Sequence, residues 1–239
     1  MASSIEILRD MVEESDNIVF FGGAGVSTES GIKDFRSVDG LYSEKYDYPP
    51  ETILSRTFFE RNPEAFYRFF RDKLVVGDAK PNPAHIRLAE LEAEGKLKAV
   101  ITQNIDGLHQ AAGSKNVLEL HGSVHRCSCS RCGEKHSASL LSTGTGVPRC
   151  RKCGGVLQPD VVLYEDQLDG DVLSAAVHYI RHADVLIIGG TSLVVYPAAG
   201  LVNYYRGSKL VLINRTVTAQ DSAAALVIRD NIGEVFSQI

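Results

Sequence analysis

The sequence lacks several features that would place it in a specialised class. Its 239 residues contain no apolar run close to the roughly 18 residues that a membrane-spanning helix needs. It has no basic excess either, because 25 Lys and Arg residues stand against 30 Asp and Glu residues, a net charge of −5. A general nucleic-acid-binding surface normally carries a basic stripe, so neither nucleic acid nor a membrane is expected as a partner. The first residues lack the basic start and apolar segment of a signal peptide, and a cytoplasmic protein is therefore expected.

Cysteine is scarce, but four of the five cysteines are regularly spaced. Cys129 and Cys132 form one C-x-x-C pair, and Cys150 and Cys153 form a second pair after 17 intervening residues. This spacing predicts one tetrahedral Zn²⁺ site. Four protein ligands leave no open position for water or substrate, so the zinc is expected to be structural. Two interpretations stay open at this point, an enzyme with a structural zinc and a zinc ribbon that serves only as a binding module.

Three other side chains lie near these pairs in the sequence. Cys127 is interpreted as a small, partly buried side chain, although a spare ligand or an oxidisable thiol is also compatible with its position. His125 and His136 are alternative zinc ligands, which a complete set of four cysteines makes less necessary. An odd number of cysteines with two C-x-x-C pairs favours a reducing compartment over a disulfide framework.

Six short runs rich in Val, Ile and Leu recur along the chain without polar alternation. Such runs predict strands that are buried on both faces. The predicted strands are 17–23, 97–104, 116–120, 183–190, 208–214 and 225–228. The predicted helices between them are 4–14, 63–75, 83–95, 170–182 and 197–206. This alternation predicts an α/β fold with a doubly wound, mostly parallel, Rossmann-like sheet.

Two segments interrupt this alternation. Residues 38–80, rich in aromatics and prolines, are predicted to form a helical insertion that caps the sheet, and residues 124–158 form the zinc-ribbon module. The predicted division assigns 1–37, 81–123 and 159–239 to the Rossmann-like domain.

A glycine-rich turn follows the first predicted strand, at Gly22 to Ser27. Glycines at a strand-to-helix turn let backbone N–H groups approach a phosphate and direct a helix N-terminus at it. The usual dinucleotide fingerprint would have a third glycine where Thr28 stands, and the nearest acidic residues, Asp39 and Glu44, lie in irregular sequence. By itself the turn is equally compatible with nucleotide binding and with a tight structural turn. Phe35 and Arg36, an aromatic suited to covering a ring and a cation suited to a phosphate, favour nucleotide binding.

Polar side chains follow the second predicted strand, in the segment 102–109. Ligand groups gather at the carboxyl ends of strands in open α/β sheets, so this segment is a candidate ligand contact. The alternative is a turn whose Asn and Asp cap the next helix. His121 follows the third predicted strand and is a candidate for proton transfer.

Taken together, these motifs resemble those of sirtuins, which are NAD-dependent protein-lysine deacylases. The matching segments, in the family's order, are GAGVSTESGIKDFR (23–36), TQNIDGLH (102–109), HG (121–122), the two cysteine pairs, PDVVLYED (159–166), GTSLVVYPAA (190–199) and VLIN (211–214). The resemblance runs from about residue 15 to the end of the sequence and is to the compact bacterial or archaeal type. It implies NAD as co-substrate, one structural zinc and an acetylated protein or peptide as partner.

The resemblance also implies roles for individual residues. Phe35 would lie against the nicotinamide, Asp106 would bind its carboxamide, and Asn104 would hold the nicotinamide ribose and an ordered water. The implied cofactor-binding set is Ala24, Gly25, Thr28, Phe35, Arg36, Gln103, Asn104, Ile105, Asp106, Thr191, Ser192, Asn214 and Ile232.

His121 would be the general base, with Asn104 as the second catalytic residue. The reaction would remove acetyl and other apolar acyl groups from lysine and give nicotinamide and O-acetyl-ADP-ribose. Residues 159–166 would form an edge strand that pairs with an extended substrate peptide through Val161, Val162 and Leu163.

Two comparisons within the family concern loop stiffness and acyl selectivity. Sirtuins usually have Pro where this chain has Lys33, and the loss of a fixed φ would loosen the cofactor loop. Sirtuins that prefer acidic acyl groups have a Tyr and, three residues later, an Arg. This chain has Tyr67 and then Phe70, so both are expected in the acyl pocket, where a buried carboxylate would lack its cation.

Three alternative functions stay open at this point. One is NAD-dependent mono-ADP-ribosyl transfer, the second is a catalytically silent reader of acyl-lysine or ADP-ribose, and the third is a zinc-ribbon nucleic-acid binder, which the acidic balance disfavours.

Overall fold

The computed structural model describes residues 2–37, 40–43, 46–75 and 77–239. Asp39 and Glu44, the acidic residues noted above in irregular sequence, lie outside the described residues. The strands are β1 (Ile18–Gly22), β2 (Leu97–Thr102), β3 (Val117–Glu119), β4 (Gly122–Cys129), β5 (Lys135–Ser137), β6 (Leu157–Val161), β7 (Val185–Gly189), β8 (Lys209–Ile213) and β9 (Leu226–Ile228). The α-helices are α1 (Ser4–Glu13), α2 (Pro50–Ile53), α3 (Arg56–Arg61), α4 (Pro63–Phe69), α5 (Pro83–Ala93), α6 (Leu108–Ala112), α7 (Ser139–Ser142), α8 (Gly170–His182) and α9 (Ile232–Phe236).

The main sheet has six strands in the order β3-β2-β1-β7-β8-β9. Every neighbouring pair in it is parallel. All six predicted strands are present, and the predicted Rossmann-like fold class is confirmed. The order reverses at β1, which pairs with β2 on one side and with β7 on the other. A doubly wound sheet binds its ligand at the carboxyl ends of the strands beside this reversal.

The strands are continuous apolar runs because helices cover both faces of the sheet. Helices α1, α5 and α9 pack on one face through residues such as Leu8, Leu88 and Phe236. Helix α8 and the segment 198–204 pack on the other face through residues such as Ile180 and Val202. In β1 and β7 every residue is buried.

Two predicted helices differ from the structure. The helix predicted over 63–75 is α4 followed by a π-helical turn, Phe70–Leu74, which the Val75 N–H closes on the Phe70 carbonyl at 3.1 Å. The helix predicted over 197–206 is a 3-10 helix, Ala198–Tyr204. Gly200 and the β-branched Val202 lie within it and lower its preference for an α-helix.

A second, antiparallel sheet has the order β5-β4-β6. Strand β6 is at its edge and includes the first part of the predicted substrate segment, which leaves the strand after Val161. Strand β4 begins at Gly122, so this sheet starts beside His121 rather than at residue 124. The predicted division into three units stays a prediction.

The helical insertion and the second sheet share one hydrophobic cluster. Phe66, Tyr67 and Phe70 from the insertion pack with Leu141 and Leu157 from the region around the cysteines. The two segments are far apart in sequence and pack as one body beside the main sheet. Among the described residues, none of the helices is both long enough and apolar enough to cross a membrane.

Candidate active site

A cavity of about 920 Å³ lies where the carboxyl ends of the central strands meet the helical insertion and the second sheet. Nearly all of the predicted site residues border it. They are Ala24, Gly25, Thr28, Phe35, Arg36, Phe70, Gln103, Asn104, Ile105, Asp106, His121, Val161, Val162, Leu163, Thr191, Ser192, Asn214 and Ile232. The folding of the chain therefore brings residues from eight separate segments to one cavity.

Two glycine loops meet at the floor of this cavity. The Gly25 N–H donates to the Gly190 carbonyl at 2.8 Å, which joins the loop after β1 to the loop after β7. Gly190 has φ +58°, and a Cβ there would lie 2.4 Å from the Val26 nitrogen. Only glycine fits this close approach. The glycines lead into two short 3-10 helices, Ala24–Val26 and Thr28–Ser30, and not into the α-helix whose N-terminus was expected here.

Ser27 forms the centre of a polar network beside these loops. Its hydroxyl donates to Asp106 Oδ2 at 2.7 Å and accepts from Asn104 Nδ2 at 3.1 Å. Ser27 is buried and borders the cavity, yet the sequence analysis gave it no role. Its position between the glycines and Thr28 was the available signal. The network sets the orientation of the Asn104 and Asp106 side chains.

Three polar side chains link the ends of β2, β7 and β8. Gln103 Nε2 donates to Thr191 Oγ1 at 3.0 Å, and Asn214 Nδ2 donates to the Thr191 carbonyl at 3.0 Å. Thr191 is thus hydrogen-bonded to Gln103 through its hydroxyl and to Asn214 through its backbone carbonyl. These contacts hold hydrogen-bonding groups in place along the part of the cavity where an extended, polar ligand would lie.

His121 has its ring held in one orientation. Its Nδ1 lies 3.0 Å from the Gln103 carbonyl oxygen, so Nδ1 carries the proton and donates. In the neutral ring Nε2 is then unprotonated and able to accept a proton. Burial lowers the pKa of His121 below its usual value, while the hydrogen bond to Gln103 acts in the opposite direction. The neutral, proton-accepting form is therefore favoured near neutral pH.

The predicted substrate segment continues from His121. Gly122 has φ +74°, and a Cβ on it would clash with the Asp160 carbonyl, so glycine is required where β4 leaves His121 for β6. The His121 carbonyl accepts from the Val162 N–H at 3.0 Å. Val161, Val162 and Leu163 border the cavity at the edge of β6. The proton acceptor and this edge are thus joined by backbone.

The four predicted metal ligands converge. The sulfurs of Cys129, Cys132, Cys150 and Cys153 all lie within 4.8 Å of one another. Backbone N–H groups of the two knuckles point to the sulfurs, from Arg131 to Cys129 and from Gly155 to Cys153, each at 3.4 Å. Such donors stabilise thiolates, so the donor set fits the tetrahedral zinc that the spacing predicted.

The neighbours of this cluster take other positions. Cys127 is buried outside the group of four, and burial raises its pKa to about 11. His125 Nε2 lies 2.8 Å from the Asp106 carbonyl, on the cavity side. His136 Nε2 lies 3.3 Å from the Cys150 sulfur and acts as a neighbour of a ligand.

Comparisons with known proteins identify the family. The model of the Sir2 family matches residues 23–197. The chain belongs to the Sir2 family. It is 55% identical over its full length to the NAD-dependent protein deacetylase of Clostridium acetobutylicum, of which it covers 99%, and 57% identical over its full length to that of Clostridium perfringens, with the same coverage of 99%. The family that the sequence motifs predicted is confirmed.

Solved Sir2 structures are similar over almost the whole chain. A Sir2 homologue in complex with ADP-ribose has a TM-score of 0.90 at 39% identity, covering 98% of this chain and 94% of that one. A Sir2 variant with a deacetylated p53 peptide and 3′-O-acetyl ADP ribose has a TM-score of 0.89 at 39% identity, covering 98% and 96%.

The structure separates the two residues that the sirtuin comparison placed in the acyl pocket. Phe70 borders the cavity. Tyr67 is fully buried in the cluster shared with the second sheet, and its hydroxyl donates to the Leu157 carbonyl. Tyr67 is not among the residues that line the cavity, because its ring points to the second sheet, where its hydroxyl meets Leu157. Phe70 thus borders the cavity and Tyr67 does not, and the acyl-pocket roles expected for the two residues stay predictions.

The predicted cofactor loop, which includes Lys33 and Asp34, is held by several contacts of its described residues. Asp34 Oδ1 accepts from the backbone N–H groups of Arg36 and Ser37, at 3.1 and 2.8 Å. The guanidinium of Arg36 lies 5.1 Å from the centre of the Tyr42 ring. The Tyr42 hydroxyl lies 2.7 Å from that of Tyr164, which belongs to the predicted substrate segment. Lys33 borders the cavity, and the effect of having lysine rather than proline there stays a prediction.

Proposed function

We propose that this chain is an NAD-dependent protein-lysine deacetylase that transfers the acetyl group to ADP-ribose. The observation that carries the proposal is the position of His121. A ring with a free proton-accepting nitrogen borders the same cavity as Gln103, Asn104 and Asp106, and its own backbone holds the substrate segment through Val162. The relatives named NAD-dependent protein deacetylase match the chain from end to end.

The cavity suits NAD because of its two loops. A Cβ on Gly25 or Gly190 would collide with the backbone of the other loop, so these two glycines let the loops meet at the cavity surface. Thr191 and Asn214 would hold the adenosine half, and Asn104 and Asp106 the nicotinamide riboside half. When bound, NAD supplies the leaving nicotinamide and the ribose that receives the acyl group.

The protein would provide orientation and one proton transfer. Ser27 fixes Asn104 and Asp106 before the ligand arrives, which reduces the entropy lost on binding. His121 would take a proton from a ribose hydroxyl through Nε2, while the Gln103 carbonyl holds the ring in the required tautomer.

The acylated substrate would bind as an extended strand. Strand β6 is the edge of its sheet, and its end at Val161 borders the cavity together with Val162 and Leu163. Pairing with a peptide backbone would supply affinity independent of sequence, and the cavity would receive the acyl-lysine side chain. Phe70 in the cavity wall favours apolar acyl groups.

The zinc would be structural. Its four cysteine ligands lie in the region of the second sheet and leave no free coordination position for a substrate. A cytoplasmic location belongs to this proposal, and the five cysteines, none of which is in a disulfide, support a reducing compartment.

The test is an incubation of the protein with an acetyl-lysine peptide, with and without NAD. Mass spectrometry should detect the deacetylated peptide and O-acetyl-ADP-ribose in equal amounts, and both should require NAD. No deacetylation would contradict the proposal. Transfer of ADP-ribose to protein without loss of acetyl groups would favour mono-ADP-ribosyl transfer instead.

A further inference from the structure

Helix α5 begins behind the cavity with an asparagine whose side-chain amide forms hydrogen bonds through both its oxygen and its nitrogen. Asn82 is buried, and its Oδ1 accepts from the Ala84 N–H at 3.0 Å, which caps the helix. Its Nδ2 donates to the Val26 carbonyl at 2.7 Å and to Ser30 Oγ at 3.0 Å. The helix start is thereby fastened to the loop that follows β1.

The residues that Asn82 holds flank the polar network of the cavity. Val26 immediately precedes Ser27, whose hydroxyl contacts both Asn104 and Asp106. A shift of the Val26 carbonyl would therefore move the Ser27 hydroxyl and change the orientation of the Asp106 carboxylate. Asn82 acts on the cavity through this backbone.

Three residues later, the fully buried His85 packs against helix α6. Its Nδ1 accepts from the Asn82 N–H at 3.3 Å, and its ring centre lies 4.7 Å from that of His109. His109 belongs to α6, which starts directly after Asp106 and Gly107. Burial lowers the pKa of His85 to about 4 and that of His109 to about 3, so both rings are neutral near pH 7.

We propose that Asn82 and His85 are positioning residues for the nicotinamide end of the NAD site. Asn82 holds the wall of the cavity formed by the loop after β1, because it bonds to the Val26 carbonyl. His85 supports the wall that contains Asp106, because it packs against His109. The first turn of α5 would thus set the distance between the two walls. This inference rests on the proposed function, since it assumes that NAD occupies the cavity.

Helix capping alone does not account for the contacts of Asn82. A cap needs a side-chain oxygen that accepts from the first turn, and Asn82 Oδ1 fulfils this need. The two bonds from Nδ2 are additional and leave the helix. The chain contains a matched case at Asn62, which also precedes a proline and caps α4 by accepting from the Ala65 N–H at 3.2 Å.

The experiment compares Asn82→Asp with Asn62→Asp. Both substitutions keep the capping oxygen, but Asn82→Asp replaces the donor to the Val26 carbonyl by a carboxylate oxygen. We expect Asn82→Asp to raise the KM for NAD about tenfold, as for the loss of a buried hydrogen bond. The inhibitory concentration of nicotinamide should rise as well, and affinity for ADP-ribose, which lacks nicotinamide, should change less. Asn62→Asp should keep the KM for NAD within about twofold of the wild-type value.

A second pair of variants tests His85. His85→Leu removes the ring and the acceptor for the Asn82 N–H, whereas His85→Asn keeps an acceptor near the position of Nδ1. We expect a higher KM for NAD in His85→Leu and partial rescue in His85→Asn. If Asn82→Asp does not fold, Ser30→Ala removes one acceptor at a half-buried site and should raise the KM for NAD in the same direction.

The inference would be overturned if the folded Asn82 or Ser30 variant and His85→Leu shifted only the melting temperature, with the KM for NAD and kcat within twofold of wild type. An inactive wild-type protein would instead count against the proposed function itself.

Discussion

The backbone of His121 and the backbone of Val162 are joined directly, the His121 carbonyl accepting from the Val162 N–H at 3.0 Å. The residue proposed as general base and the segment proposed to bind substrate therefore move together. The His121 ring is fixed separately, through the Gln103 carbonyl. Loss of the ring should leave the backbone contact intact, which makes His121 suitable for a clean test.

His121→Ala should lower kcat for deacetylation by about 10²–10⁴-fold, the range for loss of a general base. NAD affinity and melting temperature should stay near wild-type values, because the substitution removes the hydrogen bond to the Gln103 carbonyl and leaves the backbone unchanged. Product formation at saturating peptide and NAD, together with calorimetric NAD binding, checks this. Near-wild-type turnover would remove His121 from the mechanism.

The acid limb of the kcat/KM profile should lie at a lower pH than an ordinary histidine would give. Burial lowers the pKa of His121, and the unprotonated ring is the active form. Since an unperturbed histidine titrates at about pH 6.5, activity should stay constant above that pH and decline only below it. A profile measured between pH 5 and pH 9 tests this, and an acid midpoint above about 6.5 would contradict it.

Acid should also destabilise the fold through His85 and His109. Their pKa values in the folded protein are lowered to about 4 and about 3 by burial, so the unfolded chain binds protons that the folded chain does not. The free energy of unfolding should therefore fall as pH drops below about 6.5, by up to about 1.4 kcal/mol per pH unit for each histidine. Chemical denaturation of wild type and His109→Leu at several pH values measures the slope. An unchanged slope in the variant would contradict this account.

Zinc removal should destabilise the folded protein beyond the region around the cysteines. Cys129→Ser should release metal and lower the melting temperature, because Cys129 is both a predicted ligand and a member of the hydrophobic cluster shared with the helical insertion. Cys127→Ser should keep its metal, since Cys127 lies outside the group of four. Mass spectrometry measures the metal content of each variant, and thermal melts measure its stability. Loss of half the metal in the Cys127 variant would require a different ligand set.

Acetyl-lysine should be a much better substrate than succinyl-lysine on the same peptide. Phe70 offers no hydrogen bond to a carboxylate, whereas Phe70→Arg could bind one bidentately. The variant should weaken the acetyl reaction and improve the succinyl one, with a relative change of about 1–3 kcal/mol. The Tyr67 hydroxyl is bound to the Leu157 carbonyl and will not assist, so we expect the lower end of this range. Equal wild-type kcat/KM values for the two substrates would show that Phe70 does not control selectivity.

The sequence was most informative where burial and chain direction leave few choices. Continuous apolar runs required strands covered on both faces, and parallel strands bring their carboxyl ends to one edge, so Gln103 and Thr191 could be expected in one site. The contacts of Ser27 and Tyr67 were not predictable. Each is set by a partner far along the chain, Asp106 for one and Leu157 for the other, and periodicity carries no information on such pairs. The roles of the cavity residues in binding NAD stay predictions.

The hydrophobic cluster that the helical insertion shares with the second sheet also bears on synthesis of the protein. Phe66 and Phe70 leave the ribosome long before Leu141 and Leu157, which cover them in the folded chain. Strand β1 likewise lacks one of its two neighbouring strands until β7 has been synthesised. Aromatic surface is therefore exposed through much of translation, when domains ordinarily begin to fold from the N-terminus. Nascent chains stopped between residues 75 and 140 therefore expose aromatic surface that the complete chain buries.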